Sequence, residues 1–475
     1  MQRIRVGTRH WLIVAGIIAL AGCGGGGDGG STPSPTYTAG GTLTGLGTGG
    51  TITLQDNGTD TIDVSANGPF RLPAAIASGG SFDVRIAVQP AGQRCRVTGG
   101  TGTVTTQDIV TIEVRCPLEQ VLFDFSPVVT DLRLPMPGLL IASDGNVYGV
   151  TADGGASTGG AVFKIAANGS FSELYKLGSG DPLDPSHPQT GLIEGADGAF
   201  YGTSMMGGRF DNGTVFRITP AGSVSILYSF SGTADGGNPT AGILQASDGN
   251  FYGVTQYGGA NGTGTACKLT PAGVLTTLWN FASDDLPNGT LIEATDGNLY
   301  GSMGGINANV GGALFKIAPD GTFTKLWSFG EAGDGYGVLQ TLVQASDGSI
   351  YGTTVGGGAF GFGAVFRWTL SGTESVIYSF QGGSDGANPS SGLIQGRDGY
   401  LYGTTASGGN YNNGTIYRIT TTGVKEVLWD FGLNPVPGSG GAQAQGVVQD
   451  ASGNLYGTTY GGGTYGSGTV FHVQL

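Results

Sequence analysis

A Tyr-Gly dipeptide recurs seven times in this chain within the same local sequence, and this repeat constrains the fold more than any other feature. Successive copies are separated by 53, 51, 48, 51, 51 and 54 residues. A period near 50, rich in glycine and β-branched residues, is typical of repeat architectures built from one supersecondary unit. The seven tyrosines are Tyr148, Tyr201, Tyr252, Tyr300, Tyr351, Tyr402 and Tyr456.

Each copy contains the pattern of four short β-strands. In the copy over 242–281, β-type runs at 242–244, 250–253, 264–269 and 277–281 are separated by turn residues such as Asp248-Gly249. Glycine supplies the positive φ that tight hairpins need. Four antiparallel strands in about 50 residues are typical of one blade of a β-propeller. The sequence therefore predicts an all-β fold.

The two ends of the repeat array complement each other. The last copy stops at Leu475 without a fourth strand, whereas an isolated fourth-strand pattern lies upstream of the first copy, at 121–125. This stretch resembles 226–230, 325–329 and 427–431. We therefore predict a closed seven-bladed β-propeller with four-stranded blades over 118–475, in which the N-terminal strand completes the last blade and removes an open sheet edge.

The repeat resembles the glycine-rich GloVer-type tandem repeat of bacterial anchored surface proteins. The shared motifs are Asp-Gly-x-x-Tyr-Gly-Thr-Thr, then Gly-Gly, Gly-Thr-Val-Phe and Leu-Tyr-Ser-Phe, and they extend over 121–475. The copies at 347–380 and 398–431 fit best; the copy at 296–329 departs most, and Ser452 replaces the aspartate of the last copy. The resemblance implies a propeller and a surface location, but no reaction.

The first residues have the pattern of an export signal. Three arginines precede an apolar run over 11–21 that is too short to span a bilayer. The run ends in Leu20-Ala21-Gly22-Cys23, which resembles the lipobox of bacterial lipoproteins. The resemblance implies a signal peptide over 1–22, lipidation of Cys23 and attachment to a lipid bilayer, at the outer membrane or cell surface. An ordinary secretory signal is the alternative.

Two further segments precede the repeats. Residues 23–36 predict a Gly/Ser/Pro-rich tether. Residues 37–117 contain alternating apolar and polar runs separated by turn signals, which predict a small antiparallel β-sandwich. This segment resembles the Ig- or prealbumin-like modules of bacterial lipoproteins and is expected to act as a spacer. Export would allow a disulfide between Cys95 and Cys116, whereas Cys267 is expected to be a buried apolar residue.

The charge balance disfavours nucleic acid as a partner. The formal net charge is −14, and loss of the signal would leave 17 positive and 34 negative side chains. Such a surface repels phosphate backbones. The protein is also expected to be a monomer.

The loops between the second and third strands of each copy are the candidate ligand-binding mouth. They combine aromatic side chains with amides, which suit stacking and hydrogen bonding to a glycan or a protein ligand. The alternative is that the amides only form turns and the aromatics cap the blades. The candidate residues are Phe210, Asp211, Asn212, Asn261, Phe360, Phe362, Tyr411, Asn412 and Tyr465.

No copy carries a distinctive set of acid, base, nucleophile and metal ligands, so we predict a non-enzymatic binding or scaffold module without a cofactor. Acidic connections between copies keep calcium as an alternative; they contain Asp181, Asp184, Asp235, Asp284, Asp285, Asp334 and Asp385. The competing hypotheses are an extracellular hydrolase or lyase acting on sugars or lactones, with carboxylates paired across the mouth, and a purely structural surface protein.

Overall fold

The computed structural model describes residues 34–90, 93–126, 128, 132–154, 159–181, 183–282, 285–304, 311–331, 333–338, 341–432 and 441–475. The predicted signal peptide, the predicted lipidation site Cys23 and most of the predicted tether lie outside these residues. Strands dominate the described residues, whose single helix is a 3₁₀ turn at Gly383–Asp385. None of them forms a helix long and apolar enough to cross a membrane.

The first ten strands form an N-terminal domain of short, mostly antiparallel sheets. Two sheets have four strands each, in the orders β5-β2-β10-β8 and β4-β3-β7-β9, and β1 pairs with β6. The strands are β1 (Thr36–Tyr37), β2 (Ala39–Thr44), β3 (Ile52–Asp56), β4 (Asp60–Val64), β5 (Gly68–Arg71), β6 (Ile76–Ala77), β7 (Ser81–Val88), β8 (Arg96–Thr98), β9 (Thr101–Thr103) and β10 (Ile109–Arg115).

The two four-stranded sheets of the N-terminal domain share one apolar core, to which Leu43 and Val114 contribute from one sheet and Leu54 and Val84 from the other. Alternation of apolar and polar residues along each strand produces this one-sided burial. The prediction of an antiparallel sandwich is wrong at one pair, because β2 and β10 run parallel. These two strands are far apart in sequence, so no hairpin forces them to be antiparallel. Cys95 and Cys116 form a disulfide in this domain.

The described residues of the repeat region form seven antiparallel sheets of four or five strands, numbered here first to seventh. The first sheet contains β12 (Leu132–Pro135), β13 (Leu140–Ile141), β14 (Val147–Gly154), β15 (Ala161–Ile165) and β16 (Phe171–Lys176). The second contains β18 (Ile193–Glu194), β19 (Phe200–Ser204), β21 (Thr214–Ile218) and β22 (Val224–Ser229), and is flanked by the pair β17 (Pro185–Ser186) and β20 (Met206–Gly207). The third contains β23 (Leu244–Gln245), β24 (Phe251–Val254), β25 (Thr265–Leu269) and β26 (Leu275–Asn280).

The other four sheets repeat this arrangement. The fourth sheet contains β27 (Leu286–Pro287), β28 (Ile292–Glu293), β29 (Leu299–Gly304), β30 (Ala313–Ile317) and β31 (Phe323–Ser328), and the fifth contains β32 (Gly335–Val338), β33 (Val343–Gln344), β34 (Ile350–Gly357), β35 (Ala364–Trp368) and β36 (Glu374–Ser379). The sixth contains β37 (Ala387–Pro389), β38 (Ile394–Gln395), β39 (Leu401–Ser407), β40 (Thr415–Ile419) and β41 (Lys425–Asp430). The seventh contains β11 (Leu118–Asp124), β42 (Gly441–Gln449), β43 (Leu455–Gly462) and β44 (Thr469–Gln474).

The seventh sheet joins the two ends of the repeat region. Strand β11 pairs antiparallel with β44, and Val121 lies opposite Phe471. The predicted pairing of the upstream strand with the last copy is therefore confirmed. Because β44 would otherwise be the outer edge of this sheet, β11 covers its unpaired backbone groups.

Apolar clusters lie between consecutive sheets rather than within them. Tyr148 of the first sheet packs with Phe216 of the second, and Tyr402 of the sixth packs with Phe471 of the seventh. A further cluster contains Val470 of the seventh sheet and Phe163 of the first. The last sheet therefore shares an apolar core with the first. Each described sheet packs against the next, and the seventh packs back against the first.

Candidate functional site

A cavity lies where the chain segments leading into the innermost strands converge. We call it the axial cavity; its volume is about 260 Å³, and an adjoining cavity of about 210 Å³ shares five of its lining residues. The lining comes from the first, second, third, fifth, sixth and seventh sheets. It comprises Met136, Pro137, Gln189, Thr240, Thr341, Ser390, Ser391, Gly392 and Gln445.

The first threonine of the Tyr-Gly-Thr-Thr motif positions these lining segments. Its hydroxyl donates a hydrogen bond to a backbone carbonyl in the innermost segment of the next sheet, as from Thr203 to Ala241 over 2.9 Å and from Thr353 to Ser391 over 2.8 Å. Thr458 of the seventh sheet donates to Met136 of the first over 3.2 Å. In the four copies that carry it, this threonine therefore holds the segment against the previous sheet, and the last bond joins the final sheet to the first. The other three copies have Val150, Val254 or Ser302 at this position.

Glycines allow these segments to approach one another closely. A Cβ atom on Gly191 would lie 1.5 Å from the carbonyl oxygen of Gly138, a distance that no side chain can occupy. Elsewhere in the ring, the backbone N–H of Gly242 donates to the hydroxyl of Thr290 over 3.0 Å. The inner segments are therefore packed backbone to backbone around the axial cavity, which is consistent with a preformed site.

The axial cavity presents buried oxygens that the described chain does not satisfy. The hydroxyl of Thr240 and the side-chain carbonyl oxygen of Gln445 are covered and have no hydrogen-bond partner among the described residues. The hydroxyl of the neighbouring Thr190 is also buried and has no hydrogen-bond partner among the described residues. Since a buried polar atom without a partner costs about 1–3 kcal/mol, these oxygens favour a ligand or solvent that supplies hydrogen-bonding groups.

The described lining of the axial cavity carries no charged side chain. Its polar groups are hydroxyls and amides, and the adjoining cavity adds one ionisable residue, Tyr456. Burial raises the pKa of that phenol, so it stays neutral at physiological pH. The arrangement suits recognition of a neutral polar molecule, and it supplies no acid–base pair of the kind that hydrolysis requires.

The predicted mouth residues lie elsewhere, at the tips of loops around one face. Their aromatic side chains are exposed: Phe210, Phe360, Phe362, Tyr411 and Tyr465 are between 42% and 57% accessible. None of them lines the axial cavity, and they come from four sheets, Phe360 and Phe362 sharing one loop of the fifth. Tyr257 and Tyr460 are similarly exposed and were not among the predicted residues.

The polar mouth candidates mainly stabilise their own loops. Asp211 and Asn412 each accept a hydrogen bond from a backbone N–H four residues earlier and adopt a positive φ. The amide of Asn212 donates to the carbonyl oxygens of Phe210 and Ser231, each over 3.0 Å. Asn261 donates to the carbonyl of Phe281 over 3.0 Å. These contacts match the alternative that the amides form turns.

Acidic residues in the connections between sheets also form hydrogen bonds that stabilise the fold. The carboxylates of Asp184, Asp235 and Asp385 accept hydrogen bonds from tyrosine hydroxyls of the preceding outer strands, at 2.8, 3.0 and 2.6 Å. Within the described residues, no three His, Cys, Asp or Glu side chains are grouped so that they could hold a metal ion. Asp284, one of the acidic residues considered for calcium, lies outside the described residues.

Two carboxyl groups with raised pKa values lie away from the axial cavity. Burial raises the pKa of Glu119 on β11 to about 7, and burial together with the nearby charge of Asp334 raises that of Glu374 on β36 to about 7. Both strands are the outermost of their sheets. These groups therefore do not combine with the axial cavity into one site.

Sequence reasoning missed the axial lining, although a signal was present. In most copies a hydroxyl or amide residue lies two or three positions before the apolar residue that directly precedes the innermost strand, as with Gln189 before Leu192 and Thr240 before Ile243. The innermost strands themselves are only two residues long in most sheets. Such short strands give no clear alternation, so the sequence alone predicts the segments before them as connections.

The comparisons with known proteins agree with the repeat and the fold. The family model described as the Gloeobacter/Verrucomicrobia repeat matches residues 135–345 and 333–475. No curated protein sequence matches the chain.

Several solved structures are similar. An oligogalacturonate lyase from Vibrio parahaemolyticus is 10% identical, with coverage of 84% of this chain and 98% of that chain and a TM-score of 0.51. A Bacteroides uniformis protein provisionally described as a 6-phosphogluconolactonase is 14% identical, with coverage of 80% and 95% and a TM-score of 0.41. A Bacteroides thetaiotaomicron protein of unknown function is 13% identical, with coverage of 94% and 99% and a TM-score of 0.41. At these identities, the similarity to the lyase supports a β-propeller-like fold alone.

Proposed function

The chain belongs to the Gloeobacter/Verrucomicrobia repeat family, and from this premise we propose that it is a seven-bladed β-propeller that binds a neutral, hydroxyl-rich ligand such as a glycan in its axial cavity. The proposed role is recognition without catalysis. The observation that carries it is the uncharged lining with unsatisfied oxygens on Thr240 and Gln445.

Three observations support seven blades. The described repeat region contains seven antiparallel sheets, β11 completes the seventh, and the seventh and first share an apolar cluster. A ring of this kind leaves no sheet without a neighbour on either side. Its stiffness would keep the axial cavity in one shape, which reduces the entropic cost of binding.

A glycan fits the chemistry of the axial cavity better than a charged ligand. Hydroxyl groups both donate and accept hydrogen bonds, so they can satisfy an amide carbonyl and a threonine hydroxyl at once. A charged ligand would have to lose its hydration without gaining a counter-charge from the described lining. The exposed aromatics around the mouth, Phe210 and Tyr411 among them, could then contact further sugar units by stacking.

The location is proposed from the N-terminal sequence. Lipidation at Cys23 would hold the chain at a membrane, and the tether over 23–36 and an Ig- or prealbumin-like spacer over 37–117 would hold the propeller over 118–475 away from it. We propose the outer membrane or cell surface as the site of action, and a monomer as the active form.

The test is a glycan-array screen of the full chain followed by calorimetric titration of the best ligand. Gln445→Leu and Thr240→Val remove the unsatisfied oxygens while keeping side-chain volume similar. Each should weaken binding by about tenfold, because about 1.4 kcal/mol corresponds to that factor, without lowering the melting temperature.

Phe210→Ala and Tyr411→Ala are the matched variants at the mouth. Under the proposal they weaken binding of long glycans more than binding of short ones. Unchanged affinity in both cavity variants, or no glycan bound by the intact chain, would contradict an axial glycan site.

A further inference from the structure

A second cavity lies at the opposite end of the blades, where the N-terminal domain meets the sixth and seventh sheets. We call it the arginine pocket; its volume is about 280 Å³. It opens beside the hairpins that lead into β39 and β43, whereas the mouth loops lie at the other ends of these strands. Its lining comprises Arg96, Arg397, Asp398, Tyr402, Arg418, Gln449, Ala451, Ser452, Gly453 and Leu475.

Three arginines line this pocket in a chain with a net charge of −14. Arg96 comes from β8 of the N-terminal domain, Arg397 from the hairpin before β39, and Arg418 from β40. The pocket therefore draws its positive charges from two domains, and it exists only when they are docked.

The three arginines differ in how well they are paired. Arg418 contacts Glu426 over 2.8 Å and Asp398 over 3.4 Å, and its guanidinium stacks on the ring of Tyr400 at 4.3 Å. Among the described residues, no carboxylate lies within ion-pair distance of Arg96 or Arg397. Among the described residues, Arg96 and Arg397 therefore form no direct ion pair, and Glu426 acts on Arg96 from a longer distance.

The environment of Arg96 makes its positive charge energetically unfavourable in the absence of a direct ion pair. Its side chain is partly buried, and burial lowers its pKa. The nearby charge of Glu426 raises this pKa, whereas the charges of Arg418 and Arg115 lower it further. A guanidinium that has lost water and faces other cations is stabilised by any bound anion.

Arg397 is specific to one copy of the repeat. The equivalent hairpin position in the other six copies carries a small residue: Ser143, Ala196, Ser247, Thr295, Ser346 or Ala451. The hairpin does not need an arginine for its own structure: within the described part of the chain, the hydrogen bond of Arg397 is made by its backbone N–H, which donates to the side-chain oxygen of Gln449 over 3.0 Å. The side chain is therefore free to serve the pocket.

We propose that the arginine pocket binds a small oxyanion, the phosphate or carboxylate group of a small ligand, between Arg96 and Arg397. Guanidinium groups bind such oxyanions with two parallel hydrogen bonds. The cavity has room for a sugar-sized body behind the anion, and Gln449 and Ser452 on its wall offer polar contacts. This site is independent of the axial cavity and of any glycan bound there.

The test titrates the full chain with inorganic phosphate and, separately, with glucuronate, each against sodium chloride at equal ionic strength, by calorimetry and thermal shift. We expect saturable binding of at least one of the two, and the comparison shows which oxyanion the pocket prefers. Arg397→Ser, which installs a residue found in other copies, should weaken that binding by about tenfold or more. Arg96→Met should do the same.

Arg209→Ser, at an exposed arginine on the mouth face, is the matched control and should bind as the unaltered chain does. Because Arg397→Ser preserves the hairpin, it remains informative even if Arg96→Met disturbs domain docking. The proposal is overturned if the unaltered chain shows no saturable binding beyond the chloride control, or if Arg397→Ser binds the oxyanion with unchanged affinity.

Discussion

At the scale of single residues, the repeated Asp and Tyr of the motif form a structural pair. The hydroxyl of Tyr300 donates to the carboxylate of Asp296 over 2.8 Å, and the equivalent bond occurs in five other copies, as between Tyr148 and Asp144 over 2.7 Å. The other carboxylate oxygen of Asp296 accepts the backbone N–H of Asn298. One short side chain therefore closes the hairpin and anchors a buried tyrosine, which explains the repetition without any catalytic role.

The last copy provides an internal control for this pair. Ser452 replaces the aspartate, Asp450 bonds to Asn454 instead, and the hydroxyl of Tyr456 has no hydrogen-bond partner among the described residues. Tyr300→Phe should therefore lower the free energy of unfolding by about 1–2 kcal/mol, whereas Tyr456→Phe should change it by less than about 0.5 kcal/mol. Guanidinium denaturation measures both; equal losses would show that the Asp–Tyr bond contributes nothing specific.

At the scale of strands, β11 behaves as the outer strand of an ordinary sheet although it lies far from its partners in sequence. Phe125, directly after β11, packs edge-on against Phe163 and Phe171 of the first sheet. Phe281, directly after β26, packs in the same way against Phe315 and Phe323 of the fourth. The same contact therefore links the seventh sheet to the first and the third to the fourth.

This equivalence predicts equal costs for truncating the two rings. Both Phe125 and Phe281 are fully buried, so Phe125→Ala and Phe281→Ala should each destabilise the protein by about 3–5 kcal/mol through lost burial and a residual cavity. Equilibrium unfolding in guanidinium gives both values. A loss below about 1 kcal/mol for Phe125→Ala beside a full loss for Phe281→Ala would mean that β11 does not close the ring in solution.

At the scale of strands, the sequence predicts part of the fold but not the axial cavity. The outer and central strands were predictable because their apolar pattern, as in Ala364–Trp368, repeats in every copy. The pairing of Val121 with Phe471 followed from counting strand types. The axial lining could not be found in this way, because residues such as Thr341 and Gln445 become neighbours only when the ring closes, and no spacing in the sequence encodes that distance.

At the scale of the whole molecule, the N-terminal domain is joined to the sixth sheet by a buried ion pair. Arg94 contacts Asp430 over 2.5 Å, and the aspartate is fully buried. Asp430 ends β41, and other outer strands end in Ser229, Asn280, Ser328 and Ser379, or in Asp124 in the seventh sheet. Asp124 instead accepts the backbone N–H of Thr464 over 2.7 Å. Among the described residues, the ion pair with Arg94 is therefore specific to the sixth sheet, and the arginine pocket depends on the same docking.

Breaking this ion pair should separate the domains more than it unfolds either of them. Arg94→Met leaves the Asp430 carboxylate buried; among the described residues its remaining side-chain hydrogen bond is then with the amide of Asn410, at 3.1 Å, and the charge of Lys425 acts from a longer distance. A buried charge without its ion-pair partner costs about 3–5 kcal/mol. We expect a lower first melting transition in calorimetry and a larger radius of gyration in small-angle scattering. The double variant Arg94→Met with Asp430→Asn removes both charges and should recover most of the loss. If the double variant is as unstable and as extended as Arg94→Met alone, docking depends on packing rather than on this pair; if Arg94→Met changes neither observable, the pair does not hold the domains together.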